Sequence, residues 1–517
     1  MPKIKNLPLK TNFEGNNYFF PITDGTTTYK TGINDIISHV TPEAFGAVGD
    51  GIHDDTAAIQ AAINAATNNG SKVSLGGKSY LISSTISVTC PINGLSPNET
   101  FINPNGSFPA LDIRGTWLVT GDFGDFRIDY SKVGATNITS SAIGMRLMYA
   151  STTNNEQIHH TRFKNIVINY SYRGISYDAS SNITTHGQLW NVSFEQILIN
   201  YPKDYGFYFS CSNSTLGVYF RDCIVEGAFG MSSWYSSNSS LWSASKGFYL
   251  ENISTLSMDN ICLARIQNTD LGCIIHLRSI HLGTLNNIQI ESASYTGTFG
   301  GIAIGACQAI TISCMMQNAT FTSGTVTPYI KLYQYSTGNI IIKNIFEAGT
   351  ITNSTYRQFI NSDTGLTQLR LEVLDGNITP NLCTLPSDVL SYCNFVSQLP
   401  GVNSKITNKR IIVPEASATN ILSLAPFGMS ASFISGLYTI NGIKNSSSEA
   451  GFIDLLMIGS TYTTSVVTVI SSNNISSYSS TRSYSVVNNN LLLTTQVGVG
   501  NTSVMSSGLN QSNPFIV

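Results

Sequence analysis

The sequence predicts an all-β protein built around a right-handed, single-stranded parallel β-helix, with a short N-terminal capping helix and a C-terminal β-sandwich. Three observations predict this fold: a composition that suits strands and turns, a strand signature repeated through the middle of the chain, and an amphipathic segment before the repeats. Only 11% of the 517 residues are charged, whereas about 25% are charged in an average soluble protein. Ser, Thr and Asn take their place, and these residues suit turn-rich β-structure better than helices.

The middle of the chain repeats a short strand signature. Each copy has an apolar residue, a polar residue, then Asn, Asp or Gln, and then alternating apolar and polar residues. The third position of the copies is occupied by Asn165, Gln196, Asp222, Asn260, Asn287 and Asn344. Glycines that precede strand-like triplets recur in the same region, at Gly174, Gly206, Gly247, Gly272 and Gly301.

Repeats of this length, each with two or three very short strands, cannot bury their apolar faces singly, but they share one interior when stacked as parallel coils. In register, each residue lies about 4.8 Å from its counterpart on the next coil. The repeated Asn, Asp and Gln side chains are then expected to form a turn column, bonded to neighbouring backbone or to each other. A β-sandwich of hairpins is the alternative, but the Asn-Gly and Asp-Gly turns typical of hairpins are rare here.

The segment from Pro42 to Ala66 predicts a turn-rich loop followed by a short helix. Three glycines between residues 46 and 51 favour tight turns. Asp54 or Asp55 offers an N-cap for a helix predicted over 55–67. The apolar face of this helix consists of Ala58, Ile59, Ala62, Ile63 and Ala66. We expect the helix to cap the open N-terminal end of the β-helix.

The sequence divides into four predicted regions. Residues 1–40 hold short strand-like pieces on either side of a turn and are interpreted as an adaptor that docks on another protein. Residues 41–71 form the loop and capping helix, and residues 72–400 form the β-helix that carries the glycan site. Residues 401–517, which follow a proline-punctuated transition, contain separate strands with Ser and Asn turns. They predict a β-sandwich used for trimerisation or carbohydrate binding.

Charge, hydropathy and cysteine spacing exclude several classes of protein. The net charge of −3 gives no basic field to hold a phosphate backbone, so nucleic acid is not an expected partner. No apolar run approaches the roughly 18 residues of a transmembrane helix, and the first residues contain no apolar signal segment, so membrane insertion is not expected. The nine cysteines form no C-x-x-C pair. We therefore predict reduced, buried thiols, and no metal or other cofactor.

The block from Thr41 to Ile63, TPEAFGAVGDGIHDDTAAIQAAI, resembles the opening of pectate-lyase-like β-helix proteins, which include bacteriophage tailspikes and polysaccharide depolymerases. The short segment before it and the low-charge region after it resemble a tailspike more than a plant-wall enzyme. The resemblance implies a homotrimer on the virion tail, made in the host cytoplasm, that binds and usually cleaves a bacterial surface polysaccharide outside the cell. It implies no catalytic residues, because tailspikes place their acids on differing coils or between subunits.

The candidate site therefore has to be inferred from the residues that stack on neighbouring coils. Glycosidic hydrolysis needs two carboxyl groups, about 5–5.5 Å apart in retaining enzymes and about 6.5–9.5 Å apart in inverting enzymes. One coil of separation gives about 4.8 Å and two coils give about 9.6 Å. Aligning the repeats puts Asn200, Glu226, Ala264 and Glu291 in one column. Glu226 and Glu291 are therefore predicted to be the catalytic pair, and strand-end glutamates that merely face solvent are the alternative.

Two aspartates on the same coils are further catalytic candidates. Asp259 belongs to a column with Glu195, Arg221 and Asn286, whose alternating charges favour a surface salt ladder. Asp222 falls in the turn column, where an Asx-type backbone cap is the alternative to an acid role.

The longest interval between the repeated glycines, residues 206–247, holds Trp234, Tyr235 and Trp242 in Ser-rich sequence. Excess length in one coil emerges as a loop, and exposed aromatic faces stack on sugar rings, so these three residues are predicted to bind substrate. Arg265 lies beside the column of glutamates and is predicted to bind an acidic sugar. Packing of the aromatic residues on the wall, or in a subunit interface, is the alternative.

Weaker patterns point to other chemistry. His276 and His281 near Arg278 suit β-elimination, in which a base removes the proton next to a uronate carboxylate, although ordinary surface histidines are the plainer interpretation. Asn268-Thr269-Asp270 is similar to the first signature of polygalacturonases, but the rest of their motifs are missing. The pair of glutamates therefore remains the predicted catalytic pair.

Three functions follow from this interpretation. The first is a phage tailspike that binds and depolymerises a bacterial surface polysaccharide, capsule or O-antigen, by endo-acting glycosidic hydrolysis with paired carboxylates. The second is a polysaccharide lyase that acts by β-elimination on a uronate-containing polymer, and the third is a receptor-binding spike without catalysis. The expected partners are that polysaccharide, further copies of the chain in a homotrimer, and a phage tail or baseplate protein that binds residues 1–40.

Overall fold

The computed structural model describes the greater part of the 517 residues. The described residues are 19–23, 28–32, 39–114, 121–147, 157–178, 188–210, 215–228, 245–267, 272–297, 299–333, 338–363, 369–373, 383–384, 393–395, 409–413, 419–423, 434–444, 451–460, 465–475, 482–487, 490–495 and 502–509. The chain divides into two compact units, residues 1–202 and residues 203–517. Short β-strands are the main element of both units.

The described residues of the first unit include one α-helix, α1, at Thr56–Asn68, and short 3-10 turns at Pro42–Phe45, Ser131–Val133 and Ala135–Asn137. Its strands are β1 (Phe19–Thr23), β2 (Thr28–Gly32), β3 (His39–Val40), β4 (Asp50–Asp54), β5 (Lys72–Gly76), β6 (Ser79–Ile82), β7 (Ile86–Val88), β8 (Ile92–Gly94), β9 (Phe101–Pro104), β10 (Leu111–Ile113), β11 (Gly121–Asp129), β12 (Ile143–Leu147), β13 (Gln157–His159), β14 (Thr161–Asn169), β15 (Arg173–Asp178) and β16 (Gln188–Asn200).

From β3 onward, the described strands of the first unit pair in parallel with strands of the next coil. Three series run through the unit: β3–β5–β8–β11–β14–β16, β4–β6–β9–β11 and β7–β10–β12–β15. Inside them, Phe123, Phe163 and Phe194 are register partners, and their stacked ring centroids are 5.1 Å apart at each step. The predicted parallel β-helix is therefore confirmed in this unit.

The predicted helix is confirmed as α1, one residue later at each end than predicted. Ile59, Ala62, Ile63 and Ala66 form its buried face, and the helix contacts β3, β5 and β7. Asp55 precedes the helix, and its carboxylate accepts hydrogen bonds from the backbone N–H groups of two residues of the turn-rich loop, at 2.7 and 3.1 Å. This carboxylate ties the loop to the start of the helix. Capping of the β-helix end by α1 stays a prediction.

The second unit begins with a further parallel β-helix. Its strands are β17 (Tyr205–Ser210), β18 (Leu216–Arg221), β19 (Ile224–Glu226), β20 (Lys246–Ala264), β21 (Ile275–Glu291), β22 (Ser294–Tyr295), β23 (Ile302–Gly305), β24 (Ala309–Gln317), β25 (Thr320–Phe321), β26 (Thr327–Tyr333), β27 (Gly338–Ala348), β28 (Arg357–Ser362), β29 (Leu369–Val373), β30 (Cys383–Thr384) and β31 (Cys393–Phe395). A 3-10 turn lies at Ser354–Tyr356.

Two series of strands that pair in parallel run through this part of the second unit. The first is β17–β20–β21–β23–β26–β28–β30, and the second is β18–β20–β21–β24–β27–β29–β31. β20 and β21 belong to both series because each bends at residues with positive φ and continues. β19 pairs with the last residues of β20. The predicted β-helix is thus confirmed in the second unit as well.

Five of the six residues of the predicted turn column adopt the left-handed backbone conformation, and Asn344 does not. In the second unit Asp222, Asn260 and Asn287 have φ values of 53°, 55° and 54°. The amide of Asn260 donates to Asp222 Oδ1 at 2.5 Å, and the amide of Asn287 donates to Asn260 Oδ1 at 3.1 Å. Short polar side chains tolerate this conformation and bond locally. The predicted ladder is confirmed for these residues.

The first unit contains the same kind of ladder. Asp125, Asn165 and Gln196 have φ values of 61°, 49° and 55°, and the amide of Asn165 donates to Asp125 Oδ1 at 2.8 Å. In the second unit, Asn344 is paired with Ser313 at a register irregularity, and its amide donates to the serine hydroxyl at 3.4 Å. The side-chain ladder therefore accommodates a change of residue type where the register shifts.

The last part of the second unit is antiparallel. Its strands are β32 (Lys409–Val413), β33 (Thr419–Ser423), β34 (Ile434–Lys444), β35 (Gly451–Ser460), β36 (Ser465–Ile475), β37 (Arg482–Val487), β38 (Asn490–Thr495) and β39 (Thr502–Leu509). They form a five-stranded sheet, β32–β39–β34–β35–β36, and a three-stranded sheet, β33–β38–β37. The separate strands predicted here are present, while the face-to-face packing of a sandwich and the four-region division stay predictions.

At the N-terminus, the strand-like pieces predicted within residues 1–40 form an antiparallel hairpin of β1 and β2. Six cysteines of the described residues are free, and of these only Cys262 is partly exposed, as expected for reduced thiols that pack as small hydrophobes. No helix in the described part of the chain has the length and apolarity that a membrane span requires.

Candidate functional site

Glu226, Ala264 and Glu291 lie side by side at the ends of β19, β20 and β21. The register pairs Glu226 with Ala264, and Ala264 with Glu291. The alignment predicted from the sequence is therefore confirmed for these three residues, which we call the carboxylate column. Asn200, predicted for the same column, belongs to the first unit.

The carboxylate column faces outward. The preceding residues Val225, Leu263 and Ile290 are at most 1% exposed, and successive side chains of a strand point to opposite faces. Two strand spacings separate the carboxylates, which is about 9.6 Å and close to the upper end of the roughly 6.5–9.5 Å range of inverting glycosidases. The residue between them, Ala264, has only a methyl side chain.

Arg265 is tied to both glutamates of the column. Its Nη1 atom lies 2.9 Å from Glu226 Oε1, and the two side chains are 42% and 29% exposed. Its backbone N–H donates to the carbonyl oxygen of Glu291 at 2.8 Å. Arg265 has a positive φ of 53°, so it forms the turn that directly follows the column. Arg265, which is predicted to bind an acidic sugar, is thus the ion-pair partner of Glu226, one of the two predicted catalytic carboxylates.

Cys262 and Gln289 border the column on the same outward face. Burial raises the pKa of the Cys262 thiol, and the nearby carboxylates of Glu291 and Glu226 raise it further. The Gln289 amide donates to Glu291 Oε2 at 3.4 Å and to Gln317 Oε1 at 3.0 Å. The column therefore adjoins a thiol that stays protonated and an amide that orients one of the carboxylates.

The structure gives both candidate aspartates a ladder partner. Asp222 accepts the amide of Asn260 within the turn column. Asp259 is the register partner of Arg221 and Asn286, and it accepts the amide of Asn286 at 2.9 Å. These contacts favour the structural alternative for both residues, and their catalytic role stays a prediction.

The aromatic residues predicted to bind substrate, Trp234, Tyr235 and Trp242, lie outside the described residues, as does the Asn268-Thr269-Asp270 motif. Their predicted roles stay untested by the geometry.

A second outward-facing cluster lies on the first series of strands in the second unit. One column runs through Tyr208, Tyr249, His276, Ala303 and Lys331, and the column beside it runs through Glu251, Arg278, Gly305 and Tyr333. We call Tyr208, Tyr249, His276, Tyr333, Glu251 and Arg278 the tyrosine–histidine face. Of these, the sequence singled out only His276 and Arg278.

Hydrogen bonds join the two columns of the tyrosine–histidine face. The hydroxyl of Tyr333 and the Nε2 atom of His276 share a hydrogen bond. Glu251 accepts from the hydroxyl of Tyr249 at 3.3 Å and pairs with Arg278 at 3.3 Å. Burial lowers the pKa of His276 to about 4, with a smaller contribution from the Arg278 charge. Burial also raises the pKa of Tyr249 to about 12.

The sequence contained a signal for part of this face. Phe-Tyr follows both Gly206 and Gly247, and an outward tyrosine therefore recurs at the same position of successive coils. No such repeat predicts Tyr333. Its ring contacts His276 from two strands away, so its place on this face follows only from the strand register in the structure.

Comparisons with known proteins find similarity to parts of the chain. Residues 40–249 match the family model described as "Rhamnogalacturonase A/epimerase, pectate lyase-like". A curated relative, "Depolymerase 1, capsule K30/K69-specific" of Klebsiella phage K5-2, is 42% identical over 67 residues, which are 13% of this chain and 8% of the relative. The predicted resemblance is confirmed. Parts of the chain are thus similar to pectate-lyase-like proteins and to a phage capsule depolymerase, and the chain spans less than a tenth of the length of that relative.

Solved structures that align with the chain include a tailspike protein of the Acinetobacter phage vB_ApiP_P1. It is 14% identical with a TM-score of 0.38, and the alignment covers 95% of this chain and 90% of that chain. Another is the A-module of the mannuronan C-5 epimerase AlgE4 of Azotobacter vinelandii. It is 15% identical with a TM-score of 0.41, over 70% of this chain and 98% of that chain.

Proposed function

We propose that this chain is a phage tailspike that binds a bacterial surface polysaccharide, capsule or O-antigen, and depolymerises it by glycosidic hydrolysis. The observation that carries the proposal is the register that places Glu226 and Glu291 on one outward column, with a small residue between them. The local match to a phage protein named as a capsule depolymerase supports the substrate class. The proposed location is the virion tail, with residues 1–40 docked on another tail protein.

The two glutamates suit different roles in an inverting mechanism. A general base has to be held in a fixed position beside the water that it activates. Glu226, paired with Arg265 at 2.9 Å, is therefore assigned as the base that activates water. Glu291 is assigned as the acid that protonates the leaving oxygen. The water and the scissile bond occupy the space over Ala264 that separates the two.

Glu226→Gln and Glu291→Gln test the proposal, because each change removes a titratable group and keeps its size. We expect each variant to release reducing ends from the host polysaccharide about 10²–10⁴-fold more slowly than the unchanged protein. Glu99→Gln is the matched control, since Glu99 is an exposed glutamate of the first unit that bonds only a local serine hydroxyl in the described contacts. Cleavage at the native rate in both Glu226→Gln and Glu291→Gln would sink the proposal.

The viscosity and the ultraviolet absorbance of the same reaction mixture separate the three functions predicted from the sequence. Hydrolysis lowers the viscosity of the polysaccharide without a new ultraviolet absorbance. Elimination lowers the viscosity and creates an absorbing double bond, and that result would contradict the assigned roles of the glutamates. Binding with unchanged viscosity would identify a spike without catalysis.

A further inference from the structure

We infer that Gln289 is a positioning residue of the proposed reaction. Its side-chain amide holds one oxygen of Glu291 as a hydrogen-bond acceptor, so that the other oxygen delivers the proton to the leaving group. The inference rests on the proposed function and deepens it, because Gln289 acts on the sugar only through Glu291.

Gln289 lies beside Glu291 on the outward face of β21. Its two chain neighbours, Ile288 and Ile290, are 1% exposed, so the alternation of the strand directs Gln289 and Glu291 to the outer wall. The Gln289 Nε2 atom donates to Glu291 Oε2 at 3.4 Å and to Gln317 Oε1 at 3.0 Å. Gln317 is the register partner of Glu291 on the next strand. The amide of Gln289 therefore connects the carboxylate with the strand that follows it.

Both hydrogens of the Gln289 amide have an acceptor. An NH2 group carries two hydrogens, and the two acceptors are oxygens of Glu291 and Gln317. The shorter bond, to Gln317, fixes the amide, and the longer bond aims the second hydrogen at Glu291. The register partners of Gln289 are Cys262 and Met315, whose side chains have no oxygen that competes for the amide. The two acceptors thus set the orientation of Gln289.

This contact distinguishes the two oxygens of Glu291. A protonated carboxyl group has one O–H donor and one oxygen that only accepts. Because Oε2 accepts from Gln289, the proton of the acid is carried by Oε1. In the proposed step this proton moves to the glycosidic oxygen as the bond from that oxygen to the anomeric carbon breaks, while water attacks the carbon and gives a proton to Glu226. Glu291 is left as a carboxylate whose Oε2 atom still accepts from the amide.

The two glutamates of the column are held by different kinds of donor. Glu226 is paired with the guanidinium of Arg265 at 2.9 Å, whereas Glu291 accepts from a neutral amide. A carboxyl group has an acceptor oxygen in its protonated and in its ionised form, so the bond from Gln289 persists in both. This suits a group that gives up its proton and regains it in every turnover.

A double-mutant cycle on the full chain tests the inference, with the release of reducing ends from the host polysaccharide as the readout. Gln289→Met removes the amide and keeps the length of the side chain. We expect its kcat to fall about tenfold, the effect of one hydrogen bond lost from the acid. KM should be unchanged, because Gln289 does not bind the sugar. In the Glu291→Gln background the same change should lower the rate no further, since both residues act through one group.

Gln308→Met is the matched control. Gln308 is an exposed glutamine of the second unit, and its hydrogen bonds in the described part of the chain are made by its backbone. We expect native kcat and KM in this variant. Gln289→Asn is a second test variant, because it keeps a polar side chain but is one carbon shorter. It should also lower kcat, since the bond to Glu291 is already long at 3.4 Å, and it decides the matter if Gln289→Met does not fold.

Three results would overturn the inference alone, each beside a slow Glu291→Gln. They are a native kcat in Gln289→Met, a raised KM with unchanged kcat, and an equal fall of the rate in the Glu291→Gln background. The last result is what a general disturbance of the wall would produce. A native rate in Glu291→Gln would instead overturn the proposed function and this inference together, so the two failures are distinguishable.

Discussion

Burial in the folded chain determines the protonation state of His276. It lies on the outward face of β21, between the ring of Tyr249 at 4.7 Å and the ring of Tyr333 at 5.6 Å, and the charge of Arg278 acts on its imidazole. Burial lowers its pKa from 6.5 to about 4. Between these two values the unfolded chain binds a proton that the folded chain does not. The contribution of His276 to stability is therefore complete above pH 6.5 and is lost as the pH falls towards 4.

We predict that His276→Gln makes the free energy of unfolding less dependent on pH. The shift from 6.5 to about 4 corresponds to a contribution on the order of 3 kcal/mol. The loss of stability between pH 7 and pH 4 should be smaller in the variant by about this amount. Denaturant unfolding of both proteins at the two pH values measures the difference, and equal losses would show that His276 is already solvated in the folded chain.

At the scale of elements, the left-handed turn residues fix the path of each coil. Asn260 donates to Asp222 and accepts from Asn287, so one side chain links three coils. The left-handed conformation costs about 1–2 kcal/mol for a residue that has a Cβ atom but no polar side-chain group. Each lost hydrogen bond costs about 1 kcal/mol.

Asn260→Ala should lower the free energy of unfolding by about 2–4 kcal/mol, because it combines the backbone and hydrogen-bond costs. Asn260→Gly loses the same hydrogen bonds but adopts a positive φ freely, so it should be less destabilised than Asn260→Ala. Urea unfolding of the three proteins measures both steps. Equal stability of the two variants would show that the backbone conformation contributes nothing.

The phenylalanine stack of the first unit makes a second element-scale prediction. Phe163 lies between Phe123 and Phe194, with ring centroids 5.1 Å away on both sides, and it is fully buried. Phe163→Ala should cost about 3–5 kcal/mol. Phe163→Leu retains most of the volume and should cost clearly less. A cost below 1 kcal/mol for the alanine variant, measured by denaturant unfolding, would mean that the stack is not close-packed.

The sequence was sufficient to predict the turns and the strand register where a short pattern of residues is repeated along the chain. The Asn, Asp or Gln at the third position of each signature marks the turn, and once the turns are aligned, Glu226, Ala264 and Glu291 follow in register. The tyrosine–histidine face was largely missed because it depends on long-range register. Gly272 resembles a repeat glycine but does not occupy the repeat position, since it lies three residues before Ile275, the partner of Phe248.

At the scale of the whole molecule, the chain is predicted to act as a homotrimer. The resemblance to tailspikes implies this state. Light scattering during size-exclusion chromatography should give about three times the chain mass of 55.8 kDa. A mass equal to that of one chain would contradict the prediction.

The central claim is that stacked coils bring Glu226 and Glu291 to one place on the outer wall, where they act on a glycosidic bond. The most direct measurement is a crystal structure of Glu226→Gln with an oligosaccharide of the host polysaccharide bound. We predict a glycosidic oxygen within hydrogen-bond distance of Glu291, and a water molecule between the sugar ring and residue 226. An oligosaccharide whose bonds all lie beyond the reach of both side chains would contradict the claim.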